Sequence, residues 1–524
     1  MARGQLFAKK SVAQIQDEFT QSDLKRTLGP FNLISLGIGA IIGAGIFVMT
    51  GNAAANFAGP AVVLSFVIAG FACAFAGLCY AELASTMPVS GSAYSYAYVT
   101  LGEVFAWVMG WLLLLEYGVA ASTVAAGWTG YVVSLMHDFG IHIPEALSKS
   151  TWQYHDGVLQ STAGFNLVGA LGILAVTSLL VIGVHESAQV NNVIVVIKVT
   201  VLIAFIVIGV SYLNPDNWSP FVPDNEGGFR YGWQGVLRAA SIIFFAYVGF
   251  EAVSTAAGES HNPQRDVPIG ILGSLAVCTV IYMLVAIVMT GVVPYGQLGV
   301  PDPIAVAVDR MNPTWALIPW TGSETGTLNV FSLIIKIGAF TGLSSVMLVL
   351  CYAQTRVFYQ MAKDGLLWSI FGHVNRRFRT PAAGTVVLGA IIAVAAALLP
   401  LGVLGDLVSL GTALAFAIVC GSVMYLRKHN PDMPRPFKVP FYPYTPILGI
   451  FFCVVLMMGP ILLDILSKAF GVDLLGALIG NPGKVANDPI AAGILVAYAL
   501  VGALIYGLYG YRHSKIGRAR STAA

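Results

Sequence analysis

Four ionisable side chains lie deep inside long apolar segments of the sequence: Glu116, Lys198, Glu251 and Lys336. A charge at the centre of a membrane helix costs about 3 kcal/mol, so such groups usually face a cavity or an oppositely charged partner. Two acids and two bases fit either a site that handles protons and charged ligands or structural ion pairs in a helix bundle. Lys336 lies nearest a helix end, which favours a structural or interfacial role.

Glycine interrupts two of these apolar segments, at residues 37–47 and 244–251. Glycine in a helix interior costs about 1 kcal/mol relative to alanine, although membrane helices also use small residues for close packing. The cluster Gly43, Ala44 and Gly45 is denser than packing requires, and N–H groups freed at the start of a half-helix suit a carboxylate. We therefore predict two broken helices whose breaks form a ligand site.

The composition places these elements in a bilayer. Charged residues make up 10% of the 524-residue chain, where a soluble domain carries about 25%. Hydrophobic residues reach 57% and the mean hydropathy is +0.79, which excludes a soluble enzyme. A net charge of +2 without a basic patch indicates no nucleic-acid partner. The six cysteines lie in apolar stretches without metal-site spacing, so neither a metal nor a cofactor is predicted.

Apolar segment lengths predict twelve membrane-spanning helices, numbered as spans 1 to 12 in chain order. A thirteenth helix within residues 92–133 would put the later basic clusters on the wrong side of the membrane, so one long span 3 is preferred. The predicted spans are 32–56, 60–86, 103–133, 164–185, 188–212, 233–258, 267–291, 328–357, 382–400, 403–426, 444–466 and 489–511.

Charge asymmetry orients these spans. Nineteen of the 27 lysines and arginines fall in segments on the side of the N-terminus, which predicts cytoplasmic N- and C-termini in the cell membrane. Spans 1 and 6 carry the glycine breaks and lie five spans apart, so the second unit would be inserted upside down relative to the first. The predicted organisation is a cytoplasmic segment 1–31, repeats 32–212 and 233–426, helices 11 and 12 in 444–511, and a cytoplasmic tail 512–524.

Several segments together resemble bacterial members of the cationic amino acid transporter family, within the amino acid–polyamine–organocation superfamily. The likeness covers nearly the whole chain and is carried by residues 24–29, 39–47, 80–84, 88–94, 245–251, 262–268 and 354–366. The resemblance implies an all-α polytopic membrane protein of the LeuT type. Such a fold has a five-plus-five inverted repeat with discontinuous spans 1 and 6, followed by two C-terminal helices.

The resemblance also implies roles for single residues. The substrate carboxylate is expected on the N–H groups of Gly43, Ala44 and Gly45, and the substrate α-amino group on the carbonyls of Ile41, Phe245, Ala246 and Val248. Lys198 matches a lysine that replaces the sodium ion of sodium-coupled relatives. Glu251 stands where many family members carry aspartate and where arginine/agmatine exchangers carry a glutamate with a proposed proton-linked role.

Selectivity and coupling are predicted from the same elements. Phe245 is expected to act as an aromatic gate, Glu116 to attract a cationic side chain, and the pocket floor to consist of Gly342, Leu343, Ser344 and Ser345. Lys198 and Glu251 are the predicted coupling residues. An ammonium group in the sodium position would repel a sodium ion, so coupling is expected to involve protons or to be absent.

The predicted function is a secondary active transporter that moves a small neutral or cationic amino acid by alternating access. Its expected partners are the amino acid, protons and the lipid bilayer, and the pattern is not that of an enzyme. An amino acid/polyamine exchanger without proton coupling remains an alternative. A channel is disfavoured because no ring of like charges or tandem filter motif occurs, and a membrane-embedded enzyme because no Ser/His/Asp set is visible.

Overall fold

The computed structural model describes residue 9 and residues 28–87, 92–155, 158–183, 188–320, 327–479 and 490–516, and these residues are mostly helical. Most of the predicted cytoplasmic segment 1–31 and of the tail 512–524 lies outside the described residues. So do parts of the resemblance at residues 24–27 and 88–91, the end of predicted span 4, and residue 489 at the start of predicted span 12.

The described helices are labelled in chain order. The first half of the chain holds α1 Pro30–Ile41, α2 Thr50–Ala53, α3 Val62–Thr86, α4 Ser92–Thr100, α5 Glu103–Leu113, α6 Ala120–Asp138, α7 Glu145–Ser148, α8 Leu167–Ile182, α9 Ala188–Gly209, α10 Gly232–Ile243 and α11 Ala252–Thr255. The second half holds α12 Pro263–Val292, α13 Pro303–Met311, α14 Val330–Lys363, α15 Ala382–Leu398, α16 Leu401–His429, α17 Tyr444–Phe451, α18 Gly459–Phe470, α19 Leu474–Ile479, α20 Ile490–Ile505 and α21 Tyr511–His513.

Wider π-helical turns continue several of these helices, and short 3₁₀ turns connect others. The π turns are Gly45–Met49 and Ala54–Ala58 on either side of α2, Leu114–Val119 between α5 and α6, Phe452–Met458 between α17 and α18, and Tyr506–Gly510 after α20. Single π turns inside helices are frequently associated with functional sites. Two of them, at Gly45–Met49 and Leu114–Val119, contain residues that the sequence singles out.

The described residues contain nine helical stretches long and apolar enough to cross a membrane. The first runs from Pro30 to Thr86 over 57 residues, which at about 1.5 Å per residue exceeds one bilayer crossing. Two shorter apolar helices, α8 and α15, accompany these stretches. The chain is therefore a multi-pass membrane protein, as its composition predicts.

Two short hairpins were not part of the all-α prediction. Strand β1 Trp152–His155 pairs antiparallel with β2 Val158–Ser161, and β3 Leu317–Pro319 pairs antiparallel with β4 Thr327–Asn329. Asp156-Gly157 separates β1 from β2 in the sequence. This dipeptide is a strong hairpin signal, but a hydropathy profile does not detect it. Both hairpins lie in connections between apolar helices and leave the helical architecture unchanged.

The helices around the first break form one continuous core. Helix α12 packs along both α3 and α1, while α14 packs along α6 and α9. Helix α10 packs against α3 and α16, and most of the buried side chains of these helices belong to one large hydrophobic cluster. The two glycine-interrupted segments lie inside this cluster, so the packing positions their breaks away from the lipid.

Candidate functional site

The first break separates α1 from the π turn that follows it. Helix α1 ends at Ile41, Ile42 adopts an extended conformation with ψ of 96°, and helical structure resumes with the π turn at Gly45. The Gly43 N–H has no hydrogen-bond acceptor among the described residues. The first N–H groups of a resumed helix also lack internal acceptors. The break thus presents unused backbone donors inside a buried core, as the sequence predicts.

The second break follows α10. A 3₁₀ turn at Phe244–Tyr247 continues the helix, Val248 is extended with ψ of 132°, and helical structure resumes at Ala252. Gly249 has φ of +120°, a conformation that favours glycine. A Cβ atom on Gly249 would lie 2.7 Å from the carbonyl carbon and oxygen of Ala40. Glycine is therefore required here by its backbone conformation and by the contact with α1.

The two breaks pack directly against each other. A Cβ atom on Gly45 would lie 2.2 Å from Cα and 2.3 Å from Cβ of Ala246, so any side chain there would collide with the second break. A Cβ atom on Gly43 would lie 3.1 Å from a methyl carbon of Val346 on α14. Val346, rather than the neighbouring serines, is thus the α14 side chain packed against Gly43. We call the backbone of residues 39–45, together with Val346 and the neighbouring Lys198, the cradle.

Tyr282 of α12 connects both breaks and was not predicted from the sequence. Its hydroxyl oxygen lies 2.8 Å from the carbonyl oxygen of Ile41 and 3.1 Å from that of Ala246. Both carbonyls are among those expected to accept the substrate α-amino group. One hydroxyl carries one proton, so Tyr282 donates to one of the two carbonyls at a time. The only signal in the sequence is a tyrosine in an apolar helix, whose buried hydroxyl needs a partner.

Lys198 lies beside the first break. Its side chain is fully buried, and Nζ donates a hydrogen bond of 3.0 Å to the Gly39 carbonyl, near the end of α1. Helix C-termini carry partial negative charge, which favours a cation there. A Cβ atom on Gly342 would lie 3.1 Å from Lys198 Cγ, so this glycine makes room for the lysine. Lys198 therefore links α9, α1 and α14.

Glu251 and Glu116 lie next to each other at the second break. The Glu251 carboxylate accepts the Gly249 N–H at 2.9 and 3.1 Å. Glu116 lies in the π turn Leu114–Val119 and is fully buried, and neither of its oxygens has a hydrogen-bond partner among the described residues. Two adjacent buried carboxyl groups repel each other when both are ionised, and one bound proton relieves that repulsion.

Other unpartnered polar groups surround this acid pair. The hydroxyls of Tyr80 and Tyr96 and the side-chain amide of Gln354 are buried without a hydrogen bond in the part of the chain that the structure describes. Tyr80 lies close enough to Glu116, Glu251 and Tyr96 to interact electrostatically. Gln354 lies beside Gly118, and Gly118 belongs to the same π turn as Glu116. Buried polar groups without protein partners indicate water or a ligand. We call Tyr80, Tyr96, Glu116, Glu251 and Gln354 the acidic chamber.

The remaining predicted specificity residues lie in different surroundings. Phe245 is buried in the 3₁₀ turn of the second break. The Ser344 hydroxyl accepts the indole N–H of Trp128 at 2.9 Å and donates to the Phe340 carbonyl, which holds it between α6 and α14. Ser345 is buried on α14, and Gly342 faces Lys198. The predicted pocket floor is thus divided between the cradle and helix packing.

Lys336 takes the structural role that its position favoured. Its Nζ lies 2.7 Å from a carboxylate oxygen of Asp138 and 3.0 Å from one of Asp309. The Ser332 hydroxyl also donates to Asp309, at 2.5 Å. These contacts tie α14 to the end of α6 and to α13, so Lys336 contributes to helix packing outside the cradle and the acidic chamber.

Comparison with known proteins identifies the family. The amino acid permease family profile matches residues 28–470, and the chain belongs to this family of transporters. It is 41% identical to a methylthioribose transporter of Bacillus subtilis (strain 168), over 98% of this chain and 99% of that protein. It is 40% identical to the branched-chain amino acid permease BcaP of the same organism, over 98% and 100%. It is 36% identical to the vacuolar cationic amino acid transporter 4 of Arabidopsis thaliana, over 78% and 64%.

Proposed function

We propose that the protein is a secondary active transporter that moves a small neutral or cationic amino acid across the cell membrane by alternating access. The observation that carries this proposal is the pair of broken helices, whose buried breaks pack together and leave backbone donors unused. Discontinuous helices with paired breaks are the usual binding site of inverted-repeat transporters. We infer a LeuT-like arrangement of twelve spans with both termini in the cytoplasm.

The twelve proposed spans correspond to described helices. They are α1 with α2, α3, α5 with α6, α8, α9, α10 with α11, α12, α14, α15, α16, α17 with α18, and α20 with α21. In this arrangement the first inverted repeat comprises spans 1 to 5 and the second comprises spans 6 to 10. The short helices α4, α7, α13 and α19 are connections.

Substrate recognition is proposed to use backbone groups of both breaks. The carboxylate would bind the N–H groups of Gly43, Ala44 and Gly45, whose half-helix start favours an anion. The α-amino group would bind the carbonyls of Ile41, Phe245, Ala246 and Val248. The Tyr282 hydroxyl lies within hydrogen-bond distance of two of these carbonyls, so an incoming ammonium would replace it as the hydrogen-bond donor.

The substrate class is tested by a counterflow screen in proteoliposomes. The curated relatives are named for branched-chain amino acids, cationic amino acids and methylthioribose. We expect labelled alanine, leucine or arginine to exchange, and stereospecific competition by the same amino acids. If arginine and lysine do not compete and Glu116→Gln leaves the competition profile unchanged, the substrate is neutral. Exchange of methylthioribose without any amino acid would contradict the proposal.

Coupling is proposed to use protons and to be independent of sodium. The Lys198 ammonium would occupy the position of the sodium ion of sodium-coupled relatives, and Glu251 and its neighbour Glu116 form a buried acid pair that binds a proton between them. The alternative is an exchanger in which Lys198 stays permanently charged and only holds α9 against α1. Uptake under an inward proton gradient without sodium separates the two, because the exchanger accumulates no substrate against its gradient.

A further inference from the structure

Helix α16 carries an ion-pair network at each of its ends. Asp406 lies one turn after its start and Arg427 close to its end. The two residues are 21 positions apart, which corresponds to about 31 Å along the helix, roughly the thickness of the hydrocarbon core. One network therefore lies at each membrane surface. In the orientation proposed above, Asp406 lies at the outer surface and Arg427 at the inner surface.

The outer network centres on Arg238 of α10, which is 1% exposed. Its guanidinium donates two parallel hydrogen bonds of 2.8 Å to the Asp406 carboxylate. It also donates to Asp464 of α18, at 3.0 and 3.2 Å. The guanidinium lies 5.0 Å from the ring centre of Phe57, at the end of the first broken segment. Bidentate arginine–carboxylate pairs are among the strongest polar contacts in proteins. This network, the outer lock, joins both broken helices to α16 and α18.

The inner network centres on Glu82 of α3, which is also 1% exposed. Arg427 donates to its two carboxylate oxygens at 2.9 and 2.5 Å. The Val439 N–H donates to the same carboxylate at 2.7 Å, and the Arg435 guanidinium lies 3.6 Å away. This network, the inner lock, joins α3 to the other end of α16. In the outer lock α16 contributes the carboxylate of Asp406, whereas in the inner lock it contributes the guanidinium of Arg427.

Both locks connect α16 to the pair of helices formed by α3 and α10. Helices α3 and α10 pack against each other, and each also packs against α16. A separation of α10 from α16 at the outer surface breaks the outer lock, and a separation of α3 from α16 at the inner surface breaks the inner lock. Since the cradle lies between these surfaces, opening either lock would expose it to one side of the membrane only.

We propose that the Arg238–Asp406–Asp464 and Glu82–Arg427 networks are the outer and inner gates of the transport cycle, closed together in this structure and opened one at a time. This inference rests on the alternating-access transporter proposed above. A guanidinium and a carboxylate that separate into water are both rehydrated, so each lock can open and close reversibly. Weakening one lock should therefore shift the protein toward the state open on that side and tighten the opposite lock.

The test is hydrogen exchange of the full-length protein in nanodiscs, measured for Asp406→Asn and Glu82→Gln. Asp406→Asn leaves Arg238 in contact with the Asp464 carboxylate, which also pairs with Lys468 at 3.2 Å, so the buried guanidinium keeps one charged partner. We expect exchange in residues 232–243 to rise about fivefold and exchange in residues 76–86 to fall by a similar factor. Glu82→Gln should produce the reverse pattern. The decrease on the opposite side is decisive, because simple loss of a stabilising contact would not protect a distant region.

A surface ion pair supplies the matched control. Lys149 and Glu145 form an exposed pair at 2.6 Å, so Glu145→Gln should change exchange at neither lock. If Asp406→Asn does not fold, Asp464→Asn replaces it, because the bidentate Asp406 contact then remains. If each variant raises hydrogen exchange only at its own lock and does not lower it at the opposite lock, the lock proposal is wrong, even where the wild type shows counterflow. Absence of counterflow by the wild type would instead overturn the proposed function.

Discussion

The cradle and the acidic chamber both adjoin the second break and satisfy their polar groups in opposite ways. In the cradle, the buried cation is paired: Lys198 donates to Gly39, and the unused groups belong to the backbone. In the chamber, the unused groups belong to side chains, including both oxygens of Glu116. Backbone donors hold a fixed position and a fixed charge, whereas a carboxyl group gains or loses a proton. The comparison therefore supports the proposal that the cradle positions substrate and that the chamber exchanges a proton.

Gly45→Leu is the change with the largest expected effect, because it fills the contact on which the cradle depends. The new side chain would begin 2.2 Å from the backbone of Ala246, so the two breaks could not pack together. We expect substrate-induced thermal stabilisation and counterflow to disappear. Gly43→Ala is the graded comparison, because its Cβ would meet only methyl groups of Val346 at 3.1 and 3.2 Å. Wild-type affinity in Gly45→Leu would refute the placement of the substrate carboxylate.

Lys198→Ala should separate transport from accumulation. The change removes the hydrogen bond to Gly39 and leaves a cavity beside Gly342. We expect concentrative uptake under an inward proton gradient to be lost while counterflow survives. Lys336→Met serves as the comparison, since Lys336 pairs with Asp138 and Asp309 outside the cradle, and accumulation should persist in that variant if it folds. Normal accumulation by Lys198→Ala would show that this lysine is not required for coupling.

Glu116→Gln should alter the chamber without weakening the fold. Since no donor group among the described residues bonds to the Glu116 carboxylate, the isosteric amide loses no donor, and its NH₂ can donate to Glu251 in place of a shared proton. We expect a melting temperature at or above that of the wild type and competition by arginine about tenfold weaker relative to alanine. Competition assays with both amino acids provide the measurement. A marked loss of stability would mean that the Glu116 carboxylate is held by a contact that the structure lacks.

Tyr282→Phe has the smallest expected effect, because it deletes a single hydroxyl. Without that hydroxyl, the carbonyls of Ile41 and Ala246 lack their donor until an ammonium binds. The substrate-free protein should lose about 1 kcal/mol of stability, and substrate should bind up to about tenfold more tightly. Tyr247→Phe is the matched control, since the Tyr247 hydroxyl donates to Phe66 instead. Weaker binding in Tyr282→Phe would indicate that the hydroxyl contacts the substrate itself.

Features that depend on local sequence were predictable. The glycine cluster at residues 43–45 identifies the first break, because it combines poor helix propensity with a buried position. The depth of Lys198 and Glu116 in apolar segments identifies them as special, because an unpaired charge at that depth is costly. Family resemblance then connects the breaks with substrate and Lys198 with the sodium position. These signals require no knowledge of which helices are neighbours.

Features that depend on the register between helices were not predictable. Tyr282 and Val346 lie on apolar helices, and only the packing of α12 and α14 brings them to the breaks. Glu82 and Asp406 resemble ordinary interfacial residues until helix packing places Arg427 beside Glu82 and Arg238 beside Asp406. Ser344 resembles a pocket residue, but its hydroxyl is held by Trp128. Spacing along one helix determines which residues share a face, and it does not determine what that face meets.

The division of labour between cradle and chamber is tested most directly by substrate-driven proton movement in sodium-free proteoliposomes that contain an entrapped pH dye. We predict that the wild type acidifies the lumen when substrate is added outside. Glu116→Gln and Glu251→Gln should lose this acidification and retain counterflow, because the cradle is intact. Strict dependence of uptake on sodium without lumen acidification, or normal acidification in both variants, would contradict the account.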